Sequence, residues 1–274
     1  MGSADLVGRL TMTALRTRKV AFSIRHRALH RAARRGVFAT TEHVALLRLL
    51  DAATVIDVGA HRGQFALAVR VALPRARLIS FEPQSTAASV YRAVVPGTID
   101  LRECALGQSI GTAQLNISKS SDSSSLLPIG RSQVVYFPGT EKECEISVPL
   151  STLDVQFEQV EIGPNTLLKI DVQGTELAVL KGAANVLEQI AWVYAELSFL
   201  ELYLGQEPAA EIVAYLAARG FELCGVHNVQ YSQEGRSLQA DVLFRSVRLG
   251  AVPPVAGGVS TSTIPDGTGG EATV

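Results

Sequence analysis

Two segments of the chain place an acid at the end of a buried strand, directly before a glycine-containing turn and a helix. Residues 55–65 read VIDVGAHRGQF, with Asp57 at the strand end. Residues 167–182 read LLKIDVQGTELAVLKG, with Asp171 in the equivalent place. Open α/β sheets bind ligands outside the carboxyl ends of their strands. The two acids are therefore predicted to share one small-molecule site.

The first turn suits a ligand that combines an amino acid with a nucleoside. Gly59, Ala60 and Gly63 let the backbone approach closely, because glycine adds no side chain and tolerates positive φ. Asp57 can hold the turn or receive a ligand ammonium. Glu82 lies 25 residues after Asp57, near the spacing of about 20 residues expected for an acid that binds a ribose diol. These features together predict S-adenosylmethionine.

A nicotinamide dinucleotide is the competing ligand for such a turn. Its usual motif, G-x-G-x-x-G, uses a middle glycine to approach a pyrophosphate. That glycine is absent between Gly59 and Gly63, which disfavours an oxidoreductase. His61 stands where positive φ is expected, and histidine is among the non-glycine residues enriched there. It is either a turn residue with an exposed ring or a catalytic or substrate-binding residue.

The chain resembles the FkbM-type methyltransferases over roughly residues 54–245. The residues that carry this resemblance are DVGAHRG at 57–63, FEP at 81–83, the serine run before Leu126, and LKIDVQGTELAVLKGA at 168–183. The family usually has Asn where this chain has His61. The resemblance implies a Rossmann-like fold whose seven-stranded, mainly parallel sheet has its last strand antiparallel. It also implies methyl transfer to oxygen, often to a sugar hydroxyl of a glycolipid or natural product.

Methyl transfer to a hydroxyl needs a base for the hydroxyl proton, and such a base typically contributes about 10²–10⁴-fold. Asp171 is the first candidate, although a short acid also favours capping of the turn that follows it. Glu196 ends the next strand and is predicted to face the same crevice. Asp171, Glu196 and His227 are a hypothetical ligand set for Mg²⁺, which prefers oxygen. Glu176 either contacts substrate or completes the first turn of its helix.

Alternating strands and helices must position these residues, which predicts βαβ units and a mainly parallel sheet. The predicted strands are Thr54–Val58, Arg77–Phe81, Ile99–Cys104, Thr166–Asp171, Trp192–Leu197, Phe221–Val226 and Asp241–Arg245. The predicted helices are Thr41–Leu50 with Thr41 as its cap, Gly63–Ala72, Ser85–Val94, Glu176–Gln189 and Pro208–Arg219. Ala105, just after the third strand, is predicted to line an adenine pocket.

Residues 107–150 interrupt this alternation and predict a β-excursion on the ligand-bearing side of the sheet. Thr112–Ser118 and Cys144–Pro149 have strand patterns. The run SSDSSS at 120–125 lies between them and predicts a mobile loop. Ser124 and Ser125, at the end of this loop, are candidate substrate contacts.

Charge is unevenly distributed along the chain. Residues 1–36 hold nine Lys and Arg against one acid, Asp5, whereas residues 37–274 hold sixteen against twenty-five acids. We therefore expect a basic helical arm at 1–40, a methyltransferase domain at 41–249 and a disordered tail at 250–274. The arm either packs an apolar stripe on the domain or lies on an anionic membrane surface. Nucleic acid is not expected, since no aromatic-rich strand accompanies the cations.

Cysteine spacing and hydropathy limit the possible cellular locations of the protein. Three widely spaced cysteines show neither a disulfide framework nor a zinc pattern, which fits a reducing cytosol. No charge-free apolar run reaches the ~18 residues that a spanning helix needs. We expect a cytoplasmic protein, peripheral at the inner face of the membrane if the arm binds lipid. The remaining alternative is a non-catalytic module that keeps the cofactor pocket without turnover.

Overall fold

The computed structural model describes residues 19–163 and 165–250 of the 274-residue chain. The first eighteen residues of the predicted arm, and the predicted tail beyond Gly250, lie outside the described residues. Among the described residues, no helix is both long enough and apolar enough to span a membrane.

Strands of the described chain form a seven-stranded sheet and a three-stranded sheet. They are β1 (Thr54–Val58), β2 (Arg77–Phe81), β3 (Asp100–Arg102), β4 (Ala105–Leu106), β5 (Gly111–Ser118), β6 (Lys142–Ser151), β7 (Thr166–Ile170), β8 (Trp192–Ser198), β9 (Phe221–Tyr231) and β10 (Ser237–Ser246). The larger sheet has the order β3-β2-β1-β7-β8-β10-β9. Its last strand, β10, runs antiparallel to both of its neighbours, and the other pairings are parallel. This topology confirms the predicted fold class.

Helices flank both faces of the larger sheet. They are α1 (His30–Ala33), α2 (Val44–Leu50), α3 (Gln64–Ala72), α4 (Ser85–Val94), α5 (Arg131–Tyr136), α6 (Leu153–Gln156), α7 (Glu176–Lys181) and α8 (Ala209–Ala217), and residues 19–25 are also helical. Short 3₁₀ turns are at Arg27–Leu29, Thr41–His43, Ser121–Ser123 and Val186–Gln189.

The central strands are mostly apolar because helices cover them on both faces. Every residue of β1 and β7 is buried. Successive strand side chains point to opposite faces, so Val55 packs with α2, α3 and α4 while Ile56 packs with α6, α7 and α8. The continuous apolar pattern of a parallel strand follows from this double coverage. It places the carboxyl ends of β1, β2 and β7 side by side.

The excursion at 107–150 forms the smaller sheet, with the order β4-β6-β5. The strand predicted at 99–104 is wrong in detail, since β3 spans only Asp100–Arg102 and β4 begins at Ala105, beyond the predicted end. β3 pairs with β2 in the larger sheet, and β4 pairs with β6 in the smaller one. One continuous strand could not serve both sheets. The chain therefore leaves the main sheet next to the predicted ligand site.

The helix predicted at 176–189 also divides, ending as α7 and resuming as the turn Val186–Gln189. A Cβ on Gly182 would lie 1.9 Å from the carbonyl oxygen of Gly107, so the helix end packs directly on the backbone of the excursion. The Asp154 carboxylate accepts hydrogen bonds from the backbone N–H groups of Asn185 and Val186, which starts the next turn. Thr41 is likewise not a helix cap, because the 3₁₀ turn Thr41–His43 precedes α2.

The described part of the basic arm packs on the domain. Leu29, Ala32, Val37 and Ala39 are all at most 3% exposed and belong to the same apolar cluster as α2 and α3. Ile24, by contrast, is 69% exposed. The described part of the arm therefore has an inner apolar stripe against the domain and an exposed outer surface.

Candidate active site

The glycine turn after β1 is as tight as its sequence predicts. Gly59 and Gly63 have φ of 87° and 92°, in the left-handed region, and His61 has φ of 45°. A Cβ on Gly59 would lie 1.8 Å from the carbonyl oxygen of Asp171, and one on Gly63 would lie 2.6 Å from Cγ2 of Val95. The turn can adopt this path only with glycine at both positions, because an added side chain has no room.

A cavity lies at the carboxyl ends of β1, β2 and β7. Gly59 and His61 line it on the turn side, and Glu82, Gln84 and Asp171 line it from the neighbouring strand ends. Its apolar walls are formed by Val58, Phe81, Cys104, Ala105, Leu106, Leu115 and Leu126. Ala105 lies in this wall, and its contact with an adenine ring stays a prediction. The cavity offers polar groups at one side and an apolar slot at the other.

Glu82 is held rigidly at this cavity. Its side chain is 3% exposed, Oε2 accepts a hydrogen bond of 2.7 Å from the His61 N–H, and Oε1 accepts one of 2.7 Å from the Gln84 N–H. Burial raises the pKa of Glu82 to about 7, and the two backbone hydrogen bonds oppose that rise. A carboxylate oxygen accepts more than one hydrogen bond. Both oxygens therefore keep capacity for the two hydroxyls of a ribose.

Asp57 is a buried carboxylate without a hydrogen-bond partner among the described residues. It is 1% exposed, and within the described residues neither Oδ1 nor Oδ2 accepts a hydrogen bond. It therefore does not hold the turn, which was one of its two predicted roles. Burial raises the pKa of Asp57 to about 7, and the positive charge of the Lys169 ammonium opposes part of that rise. Burying an unpaired polar group costs free energy. Asp57 lies in β1 and is not among the residues that line the cavity.

The Asp171 carboxylate accepts hydrogen bonds from two side chains. Oδ2 accepts a 2.9 Å hydrogen bond from Nζ of Lys169, which is 3% exposed, and Oδ1 accepts a 2.7 Å bond from Nε2 of Gln173. Burial by itself would raise the pKa of Asp171, but the Lys169 ammonium and these hydrogen bonds hold it below its ordinary value. Asp171 is therefore ionised at neutral pH, and its side chain is 33% exposed.

Glu196 faces Asp171 across the amide of Gln173. Nε2 of Gln173 donates to Oε2 of Glu196 at 2.9 Å as well as to Asp171, and Nε2 of Gln239 donates to Oε1 at 2.7 Å. Burial, followed by the charges of Asp171 and Asp241, raises the pKa of Glu196 well above its ordinary value. The two carboxyl groups are thus pushed toward opposite protonation states, a separation typical of acid–base sites.

A second cavity opens on the other side of Asp171. Asp171 and Gln173 line both cavities, and Glu196, Gln133 and Gln239 line only the second. A group bound in the first cavity can therefore meet a group bound in the second at the Asp171 carboxylate. This arrangement fits a reaction between two separately bound molecules.

The serine run closes over both cavities instead of extending into solvent. Ser121 Oγ lies 2.8 Å from Nε2 of His61, and the Ser121 carbonyl accepts from Nε2 of Gln84 at 3.1 Å. Ser125 is buried, and its Oγ donates to the Gln173 carbonyl at 2.6 Å. Ser124 lines the first cavity. Hence Ser125 anchors the loop and Ser124 faces the first cavity. That either serine contacts substrate stays a prediction.

The His61 ring is half-buried, not exposed, and both nitrogens are occupied. Nδ1 accepts from the Gln64 amide at 3.1 Å, so Nε2 carries the proton that is donated to Ser121. Burial lowers the pKa of His61, against the opposing charge of Asp122. The ring is a neutral link between the glycine turn and the serine run.

Two predicted site residues lie elsewhere. Glu176 is 2% exposed, and its Oε1 accepts from the backbone N–H groups of Val172 and Gly174, so it holds the turn that Asp171 was thought to cap. His227 packs its ring 6.0 Å from that of Tyr194. In the described part of the chain, no three His, Cys, Asp or Glu residues approach closely enough to hold a metal. The hypothetical Mg²⁺ set is therefore not assembled.

The residues that sequence analysis missed are mostly uncharged. Gln173 bridges the two carboxylates, and the hydroxyl of Tyr203 lies 2.8 Å from Oε1 of Gln173. Gln84 follows Glu82-Pro83 directly, and its place beside Glu82 was a usable signal. Gln133 and Gln239 have no such signal, because an isolated glutamine in a sequence is as common on an ordinary surface as in a binding site.

Comparison with known proteins adds an independent result. The family model described as the methyltransferase FkbM domain matches residues 57–223, more than half of the chain. A curated relative from Sinorhizobium fredii, 2-O-methyltransferase NoeI, is 29% identical over 215 residues, which cover 75% of this chain and 84% of the relative.

Comparison with solved structures gives matches of low similarity. The methyltransferase FkbM from Methylobacillus flagellatus matches with a TM-score of 0.43 and 13% identity, over 71% of this chain and 44% of that one. The chain thus spans less than half the length of that structure. A putative O-methyltransferase from Klebsiella pneumoniae matches with a TM-score of 0.45 and 14% identity, over 80% and 88% of the two chains.

Proposed function

This chain belongs to the FkbM methyltransferase family, and we propose that it transfers the methyl group of S-adenosylmethionine to a hydroxyl oxygen of a sugar in a glycolipid or natural product. The observation that carries the proposal is the meeting of two cavities at Asp171 and Gln173. The name of the relative from Sinorhizobium fredii, a 2-O-methyltransferase, supports oxygen as the methyl acceptor.

The residues of the first cavity fit the proposed cofactor. Glu82 lines this cavity and offers two fixed oxygens for the ribose diol. Asp57, in the adjoining strand β1 but not itself among the lining residues, is the proposed counter-charge for the ammonium of the amino-acid end. The slot that contains Ala105 and Leu106 suits an adenine ring because it is apolar. When bound, S-adenosylmethionine supplies a methyl group activated by a sulfonium.

Asp171 is the proposed base for the acceptor hydroxyl. An oxygen that bonds to the methyl carbon must lose its proton, and an ionised carboxylate at the junction of the cavities can accept it. Lys169 and Gln173 fix the orientation of that carboxylate. His61 is less suited because both of its nitrogens are occupied. Glu196, with its raised pKa, is assigned to acceptor binding.

Turnover separates this proposal from a non-catalytic binding module. Purified protein with S-adenosylmethionine should release S-adenosylhomocysteine only when a hydroxyl acceptor is added. Glycolipid and glycan extracts from cells with and without the gene, compared by mass spectrometry, should differ by one methylene group in the acceptor. Cofactor binding without either result would favour the module, and binding of NAD in its place would favour an oxidoreductase.

Removal of the Glu82 carboxylate should weaken cofactor binding. Glu82→Ala is expected to reduce affinity for S-adenosylhomocysteine by about 1.5–3 kcal/mol, because hydrogen bonds to a charged acceptor contribute that much. Isothermal titration calorimetry measures the change. Unchanged affinity would contradict the assignment.

The pH dependence provides a control for this assignment. The pKa of Glu82 is raised to about 7, and only its ionised form accepts both hydroxyls. Affinity should therefore be full above pH 7 and fall as the pH drops below 7, by up to about tenfold per unit for one group. Glu82→Gln should lose the part of this dependence that Glu82 contributes and keep the part from Asp57. A variant with the same pH profile as the wild type would assign the dependence to Asp57 alone.

We further propose that the outer surface of the arm holds the enzyme at the anionic inner face of the cytoplasmic membrane, near a lipid-linked acceptor. The arginines Arg25, Arg27, Arg31, Arg34 and Arg35 are exposed beside Ile24. No hydrogen bond or ion pair between described residues involves their guanidinium groups. Each cation near such a surface contributes about 1 kcal/mol.

Charge reversal on the arm should release the protein from membranes. The triple variant Arg25→Glu, Arg27→Glu, Arg31→Glu is expected to lose flotation with anionic liposomes in low salt but to keep its melting temperature, since these side chains are exposed. The matched control reverses three other exposed arginines, Arg48, Arg75 and Arg236. Equal loss in both variants, or no wild-type binding when the screening length exceeds about 10 Å, would contradict the membrane role.

A further inference from the structure

The second cavity is rich in amides and free of cations. Glutamine side chains at 133, 173, 230 and 239 line it, together with the carboxyl groups of Asp122, Asp171 and Glu196 and the ring of Phe137. Among the described residues that line it, none is Lys or Arg. An amide both donates and accepts hydrogen bonds, which matches hydroxyl groups better than it matches phosphates or carboxylates.

One of these amides has an acceptor that nothing in the described structure satisfies. Gln133 is 3% exposed, and its Oε1 is buried without a hydrogen-bond partner. The proposed methyl transfer does not use this group. Buried amide oxygens in native proteins are normally hydrogen-bonded. An unpartnered one in a cavity wall therefore indicates a donor supplied by a ligand.

Gln133 is held in place by the excursion that carries it. The Gly130 N–H, directly before α5, donates to the Leu202 carbonyl at 2.9 Å, and the Leu204 N–H donates to the Pro128 carbonyl at 2.9 Å. A Cβ on Gly130 would lie 2.4 Å from that Leu202 oxygen. α5 is thus fastened to the segment that follows β8, so the amide is positioned before any ligand arrives.

We propose that this cavity is the acceptor subsite, that it takes an uncharged or amino-bearing sugar ring, and that Gln133 is a specificity-determining residue which accepts a hydrogen bond from that ring. The inference rests on the proposed function, which supplies the methyl donor in the neighbouring cavity. It adds that the ring bears no carboxylate or phosphate next to the methylated hydroxyl. Such an anion would be desolvated beside ionised Asp171, whose own cation Lys169 is already paired with it, and no Lys or Arg is among the described lining residues.

A binding experiment tests the subsite without an identified natural acceptor. The full-length protein is first titrated with S-adenosylhomocysteine by calorimetry and then, saturated with it, with four probes by saturation-transfer NMR. The probes are the methyl glycosides of a neutral hexose, of its 2-amino-2-deoxy form, of its uronic acid and of its 6-phosphate. The neutral and amino glycosides should bind, and the two anionic ones should bind at least about tenfold more weakly.

Variants connect this preference to Gln133. Gln133→Leu should weaken binding of the neutral glycoside by about tenfold and leave affinity for S-adenosylhomocysteine unchanged. Gln114→Leu, at an exposed position on β5 of the same small sheet, is the matched control and should change neither. Because the affinity for S-adenosylhomocysteine reports folding, a misfolded variant is recognised directly.

Each other outcome overturns a defined part of the proposal. Anionic glycosides that bind as tightly as the neutral one overturn the charge preference, and an unchanged Gln133→Leu variant overturns the role of Gln133. If S-adenosylhomocysteine binds and no glycoside does, the sugar subsite is wrong while the cofactor site stands. If S-adenosylhomocysteine itself does not bind, the proposed function fails.

Discussion

Asp171→Asn should reduce acceptor-dependent release of S-adenosylhomocysteine by about 10²–10⁴-fold, the usual contribution of a positioned base. The amide keeps the shape of the carboxylate but cannot take the hydroxyl proton. Affinity for S-adenosylhomocysteine should stay close to that of the wild type, because Glu82 and the glycine turn are untouched. Kinetics under saturating cofactor, together with calorimetry, measure both quantities.

The same substitution should also lower stability, which the sequence did not indicate. A neutral amide in place of the Asp171 carboxylate would leave the buried Lys169 ammonium without its closest partner. Breaking a buried pair costs about 3–5 kcal/mol; the expected loss is smaller here, because Asp171 is 33% exposed and Asp57 remains near Lys169. The loss appears as a lower melting temperature.

A double variant separates the chemical from the structural effect. Lys169→Met combined with Asp171→Asn removes the unpaired charge and should recover most of the melting temperature, yet remain inactive. If the double variant recovers turnover as well, Asp171 is not the base. Glu196 would then be the next carboxyl group to test, because it shares the amide of Gln173.

Gly59→Ala should abolish measurable cofactor binding and destabilise the fold. Its Cβ would lie 1.8 Å from the Asp171 carbonyl oxygen, and neither strand can yield, because the Asp171 N–H donates to the Val58 carbonyl at 3.0 Å. Overpacking of this kind costs about 1–3 kcal/mol, and the left-handed φ adds about 1–2 kcal/mol for a residue with a Cβ. Thermal unfolding and calorimetry with S-adenosylhomocysteine measure the two effects.

Gly97→Ala is a matched control for the free-energy cost of the left-handed backbone conformation. Gly97 has φ of 84°, close to that of Gly59, but its Cβ would meet nothing nearer than 3.8 Å, at Nε of Arg70. It should therefore show the left-handed penalty alone and bind cofactor normally. Equal stability losses in the two variants would mean that the contact with Asp171 is relaxed in solution.

Local pattern determined most of the fold and the proposed cofactor half of the site. β1 and β2 were predicted residue by residue, because a strand covered on both faces must be continuously apolar and is bounded by turn residues. Glycines in a turn and an acid at a strand end are likewise local features. Parallel pairing then places Asp57 and Glu82 at the same edge of the sheet without further information.

Tertiary structure alone decided the proposed acceptor half of the site. Gln173 bridges carboxylates on two strands, Gln239 reaches Glu196 from an antiparallel strand 43 residues away, and Gln133 arrives on a helix of the excursion. Sequence spacing cannot show these meetings, since they depend on strand order and on where the excursion is fastened. A glutamine also has no charge or periodicity that marks it in advance. Whether its amide serves a site is decided by which groups the fold brings within about 3 Å of it.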